Sequence, residues 1–273
     1  MLVFAAFTPH PPFLIPALGK ENFNKLEKTA TAMKQIAADF LAARPEVVII
    51  ISPHGQLMEK AFTINTAPNI TAEFKKFGAL DTNFDFNGDV ATCYQIKEFL
   101  ETKLPVQLIT AEKIDYGASV PLFYLLAKDS VDPKILSLIK KIKIIPLGYS
   151  ALDYQSHATL GHYLAEFIKQ SPKRIALIGS GELSHSLSDI SPNGFNANGQ
   201  KFDEKITELI TNKNQDELLQ LDSHLIEAAK ECGLKSLIII LHALKEINYL
   251  PVILSYEYPF GIGYLTVNFH LNQ

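Results

Sequence analysis

Three histidines in this chain each follow a short apolar, β-branched run. His10 stands in Phe7-Thr8-Pro9-His10-Pro11-Pro12, His54 in Ile51-Ser52-Pro53-His54-Gly55, and His185 in Gly179-Ser180-Gly181-Glu182-Leu183-Ser184-His185. Such runs predict buried strands, and the ends of strands in an open α/β sheet are where ligands bind. Imidazole is a common metal ligand, and its titration near neutrality suits proton transfer. Three imidazoles brought to one sheet edge predict a metal site with a general acid/base beside it.

The flanking residues sharpen this reading. Pro9, Pro11 and Pro12 fix φ on both sides of His10 and restrict its backbone. His54 has the same strand-Ser/Thr-Pro-His setting, and Gly55 permits a tight chain path. The glycines before His185 allow a sharp turn after its strand. A metal-free hydrolase with Ser180 or Ser184 as nucleophile, His185 as base and Asp189 as orienter is disfavoured. Gly-Ser-Gly-Glu-Leu is not the Gly-x-Ser-x-Gly elbow, and residues so close in sequence rarely form a triad. His157, His162, His224, His242 and His270 read as structural or exposed. Two metal histidines still need a third ligand. Glu231 and Cys232, before the apolar stretch from Leu234 to Leu244, are candidates, as are Glu182 and Glu257. The residues alone do not choose among them. A carboxylate suits Fe(II), whereas a thiolate with two imidazoles also suits zinc or copper.

The elements that must position these groups alternate. Strands are expected at 2–8, 46–52, 60–66, 105–110, 142–148, 173–179, 250–256 and 263–269. Helices are expected at 21–43, 90–103, 118–128, 152–170, 199–212, 215–230 and 233–247. Several strands are apolar throughout, as strands covered on both faces are. The last two strands, joined at Tyr258-Pro259-Phe260-Gly261, predict an antiparallel hairpin. The fold class is therefore α/β, a mixed and mostly parallel central sheet flanked by helices, in one domain over 1–273. Residues 67–89 and 186–198 read as long loops, and the second follows His185, where a lid or a plain surface excursion would both fit.

Composition sets bounds. The 273 residues are 47% hydrophobic, enough for a large core, and carry a net charge of −4 with no block of like charge. Nucleic-acid binding has no electrostatic support. No apolar run reaches the length of a membrane span. The start, Met1 to Phe7, lacks the cationic opening of a signal peptide and reads as a first strand. Two cysteines, Cys93 and Cys232, make no disulfide framework. A reducing cytoplasm is the expected location.

Together these segments resemble the class III extradiol ring-cleavage dioxygenases, the LigB superfamily, over nearly the whole chain. They are most similar to the subunit-B-type proteins related to Memo, also called AmmeMemoRadiSam system protein B. Thr8-Pro9-His10-Pro11-Pro12 and Ser52-Pro53-His54-Gly55 resemble the family's two metal-histidine segments. Gly181-Glu182-Leu183-Ser184-His185 resembles its Gly-x-Leu-Ser-His segment. Asp115-Tyr116-Gly117-Ala118-Ser119-Val120-Pro121-Leu122 resembles its Asp-His-Gly-x-x-Val-Pro-Leu segment. Glu231-Cys232-Gly233 resembles the region of the third ligand.

The resemblance implies Fe(II) held by His10, His54 and Glu231, with Cys232 as the alternative third ligand. Ring-cleaving members have a glutamate there and Memo-type proteins a cysteine. It implies His185 as acid/base, a catechol- or aminophenol-type substrate and dioxygen. Phe13, Phe260 and Tyr116 would wall the aromatic ring, and each would equally suit the core. Tyr116 stands where ring-cleaving relatives carry histidine. It can donate a hydrogen bond but cannot be a cation at neutral pH. Tyr116 and Cys232 together favour a second expectation. This is a Memo-like metal-binding protein without ring cleavage, holding copper or zinc through Cys232. Such a protein would act as a homodimer or beside an AMMECR1-like or radical-SAM partner.

Overall fold

Val47-Val48-Ile49-Ile50-Ile51 has no polar side chain to turn towards water, and the fold buries every one of these residues. In the computed structural model, which describes residues 1–79, 81–126 and 133–272, this run is the strand β2 in the middle of a large sheet. The strands are β1 (Leu2–Thr8), β2 (Val47–Ser52), β3 (Phe62–Asn65), β4 (Asn69–Glu73), β5 (Asn83–Gly88), β6 (Val106–Ile109), β7 (Lys113–Ile114), β8 (Lys143–Gly148), β9 (Ile175–Ser180), β10 (Tyr249–Glu257) and β11 (Tyr264–Leu271). The helices are α1 (Pro16–Gly19), α2 (Glu27–Ala42), α3 (Val90–Leu100), α4 (Tyr116–Leu126), α5 (Pro133–Ile139), α6 (Tyr154–Gln170), α7 (Ala197–Thr211), α8 (Ser223–Ala229) and α9 (Leu234–Ala243).

The main strand order is β10-β11-β1-β9-β2-β8-β5-β4-β7. β1, β9, β2 and β8 run parallel, while β10 and β11 form the expected antiparallel hairpin at one edge. Side chains alternate between faces, so each strand feeds two cores. Phe7, Ile49 and Ile51 join Leu160, Leu164 and Ile238 of α6 and α9. Phe4, Val48 and Ile50 join Met33, Ile36 and Phe40 of α2, with Leu122 of α4. Each such aliphatic or aromatic side chain contributes roughly 1.5–3 kcal/mol on full burial. This double coverage holds β1, β9 and β2 as a rigid base.

The sheet forks at β8. Lys143 and Ile144 pair with Asn87 and Gly88 of β5, whereas Leu147 and Gly148 pair with Ile64 and Thr63 of β3. Pro146 lies at the changeover and has no N–H to leave unpaired there. β3 then carries β6 as a separate arm.

Some elements differ from the sequence expectation. Segment 67–89 holds the β4–β5 hairpin rather than a loop. β5 reads Asn-Phe-Asp-Phe-Asn-Gly, a composition depleted in strands, and it is held by pairing on both sides. Helix α5 was not anticipated; Pro133 opens it at a position that needs no N–H. The helix expected from 21 begins at Glu27, after a 3-10 segment, Lys20–Leu26. The one expected over 215–230 divides at Asp222, whose carboxylate caps α8 through the His224 N–H at 2.9 Å. The end of the helix expected at 118–128 lies outside the described residues. No described helix is long and apolar enough to cross a membrane.

Candidate metal centre

β9 lies between β1 and β2, so the chain leaving each of these strands emerges at one edge as three neighbours. His10 follows β1, Glu182 and His185 follow β9, and His54 follows β2. Cys232 arrives from the other direction, just before α9. Two glycines allow that approach. A Cβ on Gly181 would lie 2.2 Å from the Gly233 Cα, and one on Gly233 would lie 2.8 Å from the Glu182 carbonyl oxygen. The Glu182 carbonyl accepts from the Gly233 N–H at 2.9 Å, which ties the two turns together.

Among the described residues two sets of donor atoms result, each gathered within 4.8 Å: His10, His54 and Cys232, and Glu182, His185 and Cys232. His10 Nε2 is 3.0 Å from His54 Nε2 and 3.7 Å from Cys232 Sγ. The two imidazoles cross edge to face at 87°. Glu182 Oε1 is 4.0 Å from His10 Nε2, and its Oε2 is 3.1 Å from His185 Nε2, off the direction of a hydrogen bond.

The hydrogen bonds fix a tautomer. The Ser180 hydroxyl donates to the Gly117 carbonyl, which can only accept. Ser180 Oγ must then accept from His10 Nδ1–H, at 2.8 Å. The lone pair of His10 is left on Nε2, facing His54 and Cys232. A second ring nitrogen held by a fixed acceptor is what orients a metal-ligating histidine. Tyr116 stacks on His54 at 4.4 Å and 16°, with its hydroxyl 2.9 Å from His54 Nε2.

Burial sets the charges. It lowers His10 to about 4, and it also lowers His54, so both rings are neutral at neutral pH. Burial pushes the Cys232 thiol well up, and Glu182 adds to the rise. A buried thiol beside two neutral imidazole lone pairs becomes a thiolate when a cation shares the space. Burial would also raise Glu182, but the imidazoles of His10 and His185 outweigh it and hold the carboxyl below its usual range. Burial keeps Tyr116 protonated far above neutrality. The donor chemistry fits a transition-metal ion.

The remaining expected site residues are placed as follows. Glu231 turns its Oε2 to the Leu234 N–H at 2.6 Å, at the start of α9, and joins neither donor set. Glu257 binds Thr29 through its N–H and hydroxyl. Phe13 and Phe260 pack on each other at 5.3 Å, with the Lys25 ammonium over Phe260. The serines of the hydrolase reading are engaged elsewhere: Ser180 with His10 and Gly117, Ser184 with the Ala229 carbonyl. Asp115 both caps the Ala118 N–H at 3.1 Å and accepts from the Ser52 hydroxyl.

Other contributors were not singled out for these roles in the sequence. Ser180 orients His10. Phe77, beyond β4, meets Tyr116 edge to face at 5.3 Å. Asp203 of α7 accepts from the Ser184 N–H at 2.8 Å and from the Tyr256 hydroxyl at 2.7 Å. It thus holds the turn that carries Glu182 and His185. A Ser at a strand end is too common a feature to mark, and Asp203 is distant in sequence from what it supports.

A model of the protein family described as the catalytic LigB subunit of aromatic ring-opening dioxygenase matches residues 4–267. Protein CA_C1420 of Clostridium acetobutylicum is 27% identical over 266 residues, which cover 94% of this chain and 55% of that protein. The chain thus spans about half the length of this curated relative. The crystal structure of uncharacterized protein JW3007 from Escherichia coli K12 superposes with a TM-score of 0.64 at 17% identity. That match covers 97% of this chain and 99% of the other, and it shows a shared fold. With the donor cluster at the ends of β1, β9 and β2, and a family match over nearly its whole length, this chain belongs to the LigB family.

Proposed function

We propose that this protein is a metal-dependent oxidoreductase of the aromatic ring-opening type, acting on a catechol- or aminophenol-type molecule with dioxygen. The observation that carries the reading is the convergence of His10 Nε2, His54 Nε2 and Cys232 Sγ beside the Glu182–His185 pair. His10, His54 and Cys232 would hold the metal, in preference to Glu231, whose carboxylate serves the start of α9. When bound, the metal supplies a Lewis-acidic, redox-capable centre where a diol and dioxygen can meet. Iron is the expectation from the family, and a thiolate with two imidazoles suits zinc or copper as well.

The chain's own groups have distinct tasks. Ser180 keeps the His10 lone pair on Nε2. His185 is placed to take a proton from a substrate hydroxyl and later return it, with the Glu182 carboxylate 3.1 Å from its Nε2. Tyr116, protonated at all relevant pH, donates a hydrogen bond to an oxygen placed beside His54. Phe77 and Tyr116 offer an apolar flank to a ring. A reducing cytoplasm would keep Cys232 free as a thiol.

A second reading has its own support. Cysteine rather than carboxylate completes the donor set, and Tyr116 lies directly on His54. Both suit a protein that holds its metal without ring cleavage, beside a partner. Anaerobic Fe(II) loading followed by oxygen and a panel of catechols and aminophenols separates the two. A ring-opened chromophore supports the first. Full metal occupancy with no product from any diol refutes it and leaves the second.

A further inference from the structure

One turn reaches both histidines of the first donor set. Asp115, Tyr116 and Gly117 lie where β7 ends and α4 begins. Each of the three holds a different part of the centre. Asp115 Oδ1 accepts from the Ser52 hydroxyl, and Ser52 Oγ accepts from the His54 N–H at 3.3 Å. The Tyr116 ring lies on the His54 imidazole. The Gly117 carbonyl accepts from Ser180, which in turn orients His10. The strands β1 and β2 deliver the two histidines to the sheet edge. The turn, which follows β7 at the far end of the strand order from β10, meets them there.

The Asp115 carboxylate does more than cap α4. A cap needs only the Ala118 N–H, which Oδ1 accepts at 3.1 Å. The start of α4 also has a second support, because the Ser119 hydroxyl donates to the Asp115 carbonyl at 2.7 Å. The bond from Ser52 comes instead from the end of β2, 63 residues away in the chain. A hydroxyl has one hydrogen, so donating it to Asp115 leaves the Ser52 lone pairs for the His54 N–H. The backbone leaves room for this arrangement and for little else. A Cβ on Gly117 would lie 2.6 Å from Ser52 Oγ, 2.9 Å from Asp115 Oδ1 and 3.1 Å from His54 Cδ2. One on Gly55 would lie 3.3 Å from Asp115 Oδ2. The carboxylate is therefore enclosed between two residues without side chains, against the turn that carries His54.

We propose that Asp115 is a positioning residue for both imidazole donors. Through Ser52 it fixes the main chain of His54. Through its own turn it fixes Tyr116 on the His54 ring and the Gly117 carbonyl on the Ser180–His10 pair. One side chain thus sets the directions of two nitrogen lone pairs. Its effect on a bound cation rests on the metal reading proposed above; its hold on the imidazoles does not.

Cobalt(II) is the probe, bound to the intact chain in competition with a chelator, and its visible d–d bands report coordination geometry. Asp115→Ala should weaken cobalt by about 10- to 100-fold and move those bands. D115N keeps an oxygen for the Ser52 hydroxyl and the Ala118 N–H, and should restore both. D115S separates positioning from capping. Serine caps a helix well, but its hydroxyl ends one atom short of the place of Oδ1. D115S should therefore regain the melting temperature lost in D115A without regaining the cobalt affinity or the bands. S52A should also weaken cobalt, and D115A/S52A should lose less than the product of the two single factors, because both break one link. Unchanged affinity and bands in D115A, recovery of both in D115S, or a double variant that loses the full product would each overturn the proposal. Histidine NMR spectra of the metal-free chain make the same test without a cation. D115A should shift the ring signals of both His10 and His54, and D115N should leave them near wild type. Unshifted signals in D115A overturn the proposal. A wild-type chain that takes up no cobalt refutes the metal reading, and the metal-free spectra then decide the role of Asp115.

Discussion

Replacing Asp203 by asparagine should make the protein more stable at neutral and alkaline pH, and the gain should grow with pH. Asp203 is 1% exposed, and its oxygens accept from the Ser184 amide and the Tyr256 hydroxyl, with no ion-pair partner among the described residues. Burial outweighs those two bonds and raises its carboxyl from 3.8 to about 7. The folded state therefore binds this proton more tightly than the unfolded chain does. Its stabilising contribution is complete below about pH 4 and is lost as pH rises through about 7. Linkage between those two values makes wild type lose roughly 2–3 kcal/mol between pH 5 and pH 8 through this group alone. The side-chain amide of the D203N variant would keep the acceptor for the Ser184 N–H and carry no charge. The assay is urea denaturation of wild type and D203N at several pH values from 5 to 8. Subtracting the two curves removes every other titrating group. Parallel curves, with a constant difference across that range, would refute the reasoning and show that Asp203 stays ionised in the folded protein.

Four other outcomes follow from the site. Ser180→Ala should lower metal affinity by about 10- to 100-fold in a chelator competition, because His10 loses the acceptor that fixes its tautomer. Cys232→Ser should abolish the thiolate-to-metal absorption of a cobalt-loaded protein, whereas Glu231→Gln should leave it intact and lower the melting temperature, since its effect falls on the start of α9. Tyr116→Phe should keep metal affinity and reduce kcat/KM on an active diol by about 10-fold, the loss of one hydrogen bond near 1.4 kcal/mol. Gly181→Ala should cost about 1–3 kcal/mol in denaturation and weaken metal binding, because the new methyl would force the Gly233 turn and Cys232 away.

Much of this protein can be read in its residues. The apolar runs around Val47–Ser52 and Ile175–Ser180 specify strands buried on both faces, because a short unbroken apolar row flanked by turn residues has no polar face to give to water. The prolines and glycines after those runs mark where the chain must leave the sheet. His10, His54 and His185 were therefore legible as a set. Local chemistry also placed Asp115 as a cap and the last two strands as a hairpin. Polar strands were not legible: β5 exists because it pairs on both sides, and its own composition argues against it.

The directions of the Glu231 and Cys232 side chains needed the tertiary structure. The residues are adjacent, both can bind metal, and sequence cannot tell which side of a turn faces inward. Gly181 against Gly233 sets that turn, presenting the thiol to His10 and leaving the carboxylate to the backbone of α9. The roles of Ser180 and Asp203 and the link from Ser52 to Asp115 are likewise products of packing between distant segments. Strand identity is a property of a few consecutive side chains and their need to avoid water. The direction in which each donor atom points depends on contacts from elements far away in the chain, and only the assembled fold brings them together.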